Sequence, residues 1–101
     1  MTLPSRLYQD ELLTDLSNPE EAVAYLNAAL EEGVQAVFLL ALRNVADAYG
    51  IKRLSEQAHL NRESMYRMLS DQGSPQLSSL IAILESLGLR LTVEARETVS
   101  A

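Results

Sequence analysis

Eight side chains in one short stretch are of the types that read nucleic acid. Between Ile51 and Ser70 the chain carries Lys52, Arg53, Asn61, Arg62, Glu63, Tyr66, Arg67 and Ser70, interleaved with small or apolar residues at Leu54, Ser55, Ala58, Leu60, Met65, Met68 and Leu69. Arginine can donate two hydrogen bonds to guanine O6 and N7, Asn61 can pair with adenine or simply cap a helix, and Glu63 either accepts from cytosine N4 or stays solvated. Arg62 and Arg67 suit bases or the phosphates beside them, Tyr66 and Ser70 the backbone or a thymine methyl, and Lys52 and Arg53 the phosphates flanking the groove. The spacing fits two short helices packed at a steep angle, with the second presenting Arg62, Tyr66 and Arg67 outward. The competing reading is that these are surface charges on a helical bundle of that shape, because fold alone does not fix function.

Charge distribution bears on the choice. The 101-residue chain has a net charge of -6, which opposes an affinity built on phosphate neutralisation. The charge is uneven, however. Residues 1–33 hold one base, Arg6, against seven acids, whereas residues 51–70 hold four bases against Glu56 and Glu63. An acidic end and a locally basic centre imply two partners, one cationic and one anionic. Glu20/Glu21 and Glu31/Glu32 fit capping and solubility better than a calcium site.

Catalytic chemistry has little to stand on. The sequence contains one histidine, His59, and no cysteine, and no Walker glycine loop or metal-ligand spacing occurs. The expectation is a protein that is not an enzyme and takes no cofactor or metal. Its hydrophobic fraction of 48% and charged fraction of 22% are those of a folded domain. The longest apolar run, Ala36 to Leu42, is far short of a membrane span, and the first residues lack a signal layout. A soluble protein of a reducing cytoplasm is expected, with no membrane partner.

The elements that must position the basic stretch follow from periodicity. Residues 1–17 show no sustained period and read as a flexible arm, and residues 96–101 read as a frayed tail. The folded domain spans 18–95. Asn18 caps a first helix, with Pro19 at its first position, Glu21 at capping-box spacing and Gly33 as a left-handed stop. Its inward positions are Ala22, Val23, Leu26, Ala29 and Leu30, while Tyr25 lies off the stripe and is available to a partner. A core helix covers Val34 to Tyr49, with Val34, Val37, Phe38, Ala41, Leu42, Val45 and Tyr49 at helical spacing. Two short helices, Lys52 to Ala58 and Arg62 to Leu69, flank a turn at His59 and Leu60, with Asn61 capping the second. That turn usually wants glycine, and histidine is among the residues enriched at positive φ. A fifth helix, Leu77 to Leu87, places Leu77, Leu80, Ile81, Leu84 and Leu87 on one stripe, with Ser74 as its cap and Pro75 in its first turn. After Gly88, Leu89, Leu91 and Val93 alternate with Arg90, Thr92 and Glu94, a period of two that predicts a strand. One strand needs a partner, and the same strand of a second subunit is the economical one.

Taken together, NPEEAVAYLNAALEEG at Asn18–Gly33, ALRNVADAYG at Ala41–Gly50, LNRESMYRMLS at Leu60–Ser70 and GSPQLSSLIAILESLGLRLTV at Gly73–Val93 resemble the HigA-like addiction module antidotes of bacterial type II toxin-antitoxin pairs. The resemblance implies a lambda-repressor-like fold, and with the elements above the expectation is an all-α, five-helix domain whose C-terminal strand pairs across a homodimer. It also implies an antitoxin that binds and neutralises a basic RelE/ParE-like toxin and represses its own operon at a double-stranded DNA inverted repeat. A phage-type repressor without a toxin, or a protein-interaction module that no longer binds DNA, are the alternatives.

Overall fold

The computed structural model describes residues 5–97 and is helical throughout its regular structure. In chain order the helices are α1 (Ser5–Leu16), α2 (Pro19–Glu31), α3 (Gln35–Tyr49), α4 (Ile51–Ala58), α5 (Arg62–Met68) and α6 (Leu77–Ser86). Five correspond to the periodic segments, within a residue or two at each end. The sixth, α1, forms where periodicity predicted an arm. Its Leu16 is buried and its Leu12 rests on the core, and the helix packs on both α2 and α3. Tertiary burial, rather than an intrinsic pattern, accounts for it. Residues 1–4 of the expected arm and 98–101 of the expected tail lie outside the described residues.

Local chemistry places most helix ends. The Asn18 side chain accepts from the Glu20 amide at 2.9 Å and starts α2 with Pro19 in the first turn. Gly33 and Gly88 take positive φ after α2 and α6, the left-handed region where a Cβ is penalised. The end of α4 is similar without a glycine: His59 sits at φ 56°, ψ 42°, the Leu60 amide donates to Ser55 O at 2.9 Å, and the His59 amide to Glu56 O at 3.3 Å. These two bonds form a Schellman closure. Asn61 then caps α5, its Oδ1 accepting from the Glu63 and Ser64 amides at 2.8 and 3.3 Å. The start of α6 departs from expectation. Gln76, not Ser74, is the capping residue, and it makes no side-chain cap bond.

Helices α1 and α2 pack on α3, and α4 packs on α3, α5 and α6. Where they converge, Leu42, Leu54, Met65, Leu69 and Ile83 are sealed from solvent. The loop from α5 to α6 is held by two further features. Gln35 Nε2 donates to Gly73 O at 3.0 Å, and a Cβ on Gly73 would overlap the Met68 carbonyl. Several residues expected inward are not: Val23, Leu30, Val34, Val37 and Leu77 are exposed. The apolar stripes are wider than the core they face.

The predicted strand at Leu89, Leu91 and Val93 is absent among the described residues. Leu89 is tied by its amide to Leu84 O at 2.8 Å, as part of the cap on α6, and packs on the core edge. Beyond it the backbone carries no regular structure, and Leu91 and Val93 are exposed, Val93 at 96%. Alternation supplies only one half of a ladder, and among the described residues no second strand offers the other half.

Two stability measurements check this core and its turn. Met65→Ala should cost about 2–5 kcal/mol in denaturant melts, as a fully buried side chain leaving a cavity. His59→Gly should instead raise stability, by up to about 1 kcal/mol, because it relieves a left-handed non-glycine residue.

Candidate nucleic-acid interface

The basic stretch becomes one surface because α5 is buried on one side only. Met65 and Leu69 enter the core while Arg62, Glu63, Tyr66 and Arg67 stay exposed. Arg67 reaches back along its own helix to the Ser64 hydroxyl at 3.3 Å, a neutral partner that leaves its charge available. Ser70 is partly buried, and its hydroxyl donates to Arg67 O at 2.9 Å. Asn61 has committed its acceptor oxygen to the cap, so a two-bond pairing with adenine would require releasing the helix start. Its amide nitrogen is what remains to offer a base edge or phosphate.

Lys52 and Arg53 lie exposed in the first turn of α4. The Arg53 guanidinium stacks over the Tyr49 ring, 4.1 Å from its centroid, and the Tyr49 hydroxyl donates to Gln57 Oε1 at 2.6 Å. Tyr49, expected in the core, packs against it while partly buried, and its ring is also a platform that orients a cation. His59 is exposed in the turn between the two helices.

Two residues behind this surface escape a reading of the stretch by itself. Arg43 and Asp47 lie one turn apart on α3. The Arg43 guanidinium sits 5.1 Å from the Tyr66 ring centroid, and the Tyr66 hydroxyl lies near enough to the Asp47 carboxyl to pull its pKa down. The ring thus carries a cation on its face and has a carboxyl group near its hydroxyl. Partial burial raises the Asp47 pKa above its ordinary 3.8, against the opposing pull of Arg43 and the Tyr66 hydroxyl. The i, i+4 spacing of Arg43 and Asp47 was visible in the sequence. Only the tertiary fold, which brings α3 and α5 within side-chain reach, links that pair to Tyr66.

Leu89, Leu91 and Val93, the expected dimer residues, follow the end of α6, and Leu89 also lines a hollow with Tyr49 and Arg53. Leu89 and Leu91 line a groove with Val23, Leu30 and Phe38.

Because the folded state holds the Asp47 proton more tightly than the unfolded chain, this group favours folding at low pH. That contribution is lost as pH rises from 3.8 through the raised value. Denaturant melts of wild type and Asp47→Asn across the acid range should show wild type gaining on the variant as pH falls. Parallel pH profiles would contradict this.

Comparison with known proteins follows the same span as the fold. A curated protein of Haemophilus influenzae (strain ATCC 51907 / DSM 11121 / KW20 / Rd), described as an uncharacterized protein, is 27% identical over 92 residues, covering 91% of this chain and 95% of that protein. No solved structure matches. The family described as "Probable addiction module antidote protein" matches residues 8–95, from within α1 to beyond α6. The chain belongs to the probable addiction module antidote protein family.

Proposed function

We propose that the protein is the antitoxin of a type II toxin-antitoxin pair. It neutralises a RelE/ParE-like toxin by direct binding in the cytoplasm and represses its own operon as a HigA-like, lambda-repressor-like regulator. In this reading α4 and α5 are the helix-turn-helix. The observation that carries the DNA-binding half is the one-sided burial of α5: Met65 and Leu69 are held inside while Arg62 and Arg67 remain exposed behind a capped N-terminus. A recognition helix enters the major groove with the side chains of its first turns toward base edges. Arg62, Glu63 and Arg67 occupy those positions, Tyr66 is the backbone or methyl contact, and Asn61 and Ser70 border the helix. Lys52 and Arg53 meet flanking phosphates. The family supports the toxin half.

A homodimer completes the reading. Recognition helices of a dimer sit roughly 34 Å apart on an inverted repeat, and pairing of the Leu89–Val93 segments across a two-fold axis would give that backbone its missing partner and cover Leu91 and Val93. DNA from upstream of the gene, titrated in a gel shift, should bind with steep salt dependence. Arg67→Ala should abolish the shift while leaving the helical circular dichroism unchanged. Unaltered affinity in that variant would remove Arg67 from the interface, and no shift by wild type at low salt would leave a protein-interaction module instead. Co-expression with the protein encoded beside the gene should relieve its toxicity.

A further inference from the structure

The geometry points to the groove between α2 and α3 as a docking site for a cationic amphipathic helix of a basic protein; under the function proposed above, that protein is the toxin. Its walls are Tyr25 on α2 and Val37 and Leu40 on α3, and its floor is Ala29 and Ala41. Val37 and Leu40 are 38% and 42% exposed, apolar surface that the core leaves uncovered on its central helix. Tyr25 is a fixed wall, since its hydroxyl accepts from Asn44 Nδ2 at 2.9 Å. Two alanines between larger walls make a hole into which a leucine-sized knob fits.

Charge selects the occupant. Along α2 the stripe through Tyr25 has Glu21 one turn before it and Glu32 two turns beyond, both exposed. These carboxylates stand roughly 16 Å apart along the axis and bracket the apolar floor. From residue 7 to residue 42 the chain holds seven acids and no base, so nucleic acid is repelled from this face. A second copy is disfavoured too. A two-fold contact here would set the carboxylates of Glu21 and Glu32 against the same carboxylates of the other copy, acid facing acid. A helix with apolar residues along one stripe and Lys or Arg about three turns apart satisfies both the hole and the carboxylates.

The test uses the full chain and two probes. The first is a labelled 18-residue peptide with leucines on one helical face and lysines on the other, titrated by fluorescence anisotropy. Leu40→Glu and the double variant Glu21→Lys/Glu32→Lys should each weaken it at least tenfold. Leu77→Glu, exposed at the start of α6, should stay within twofold, with circular dichroism melts holding all variants to the folded state. Absence of binding by wild type, or equal affinity across the set, overturns the proposal. The second probe is the basic protein encoded beside the gene. Loss of neutralisation in Leu40→Glu supports the groove as its seat, and intact neutralisation in that variant overturns that assignment while leaving the antitoxin reading in place. Failure of wild type to neutralise, with the peptide result intact, removes the antitoxin reading and keeps the groove.

Discussion

Leu42, Leu54, Met65, Leu69 and Ile83 meet with no exposed surface, and the arrangement of the molecule depends on that meeting. They come from α3, α4, α5 with its cap, and α6. A helix of seven residues, as α5 is, has no stability of its own in water. It persists because Met65 and Leu69 are driven into apolar surroundings and because Asn61 satisfies the amides at its start. Once those two side chains are committed, helical geometry leaves Arg62, Glu63, Tyr66 and Arg67 on the opposite side. The chemistry that this face offers is thus a consequence of core burial.

The Schellman turn at His59 sets the approach of α5 to α4. A left-handed residue there reverses the chain within three positions, and the imidazole is left outside in solvent. The cost of placing a Cβ at φ 56° is modest beside the burial secured on either side. On the far side, α3 plays a second part. Arg43 lies over the Tyr66 ring, and Tyr49 carries Arg53. Two aromatic rings of the basic surface are thus referenced to the central helix, which reduces the freedom an interface of long cationic side chains would otherwise lose on binding.

Charge and apolar exposure divide the molecule. The half built from α1, α2 and the first turns of α3 is acidic and keeps Val23, Leu30, Val37 and Leu40 partly in water. The half built from α4 and α5 is basic and polar on its outer surface. Membership of an antidote family accords with an acidic, partly apolar face left open to a partner protein.

Much of this was legible in the residues alone. The Asn18 and Asn61 caps, the stops at Gly33 and Gly88, the left-handed His59 and the boundaries of five helices all depend on neighbours in sequence, and short-range chemistry decides them. The basic cluster was legible for the same reason, as a matter of composition along two consecutive short helices. What only the tertiary structure decided is which surfaces were left over. Residues 5–16 became a helix because α2 and α3 gave it something to pack on. Val37, Leu30 and Leu77 lie on apolar stripes whose partners do not extend far enough to cover them. The alternation at Leu89–Val93 did not make a strand, because a ladder needs a second edge and periodicity cannot supply one. Tyr66 met Arg43 only because the fold brings α5 within side-chain reach of α3, a contact between residues about twenty positions apart that no local pattern encodes.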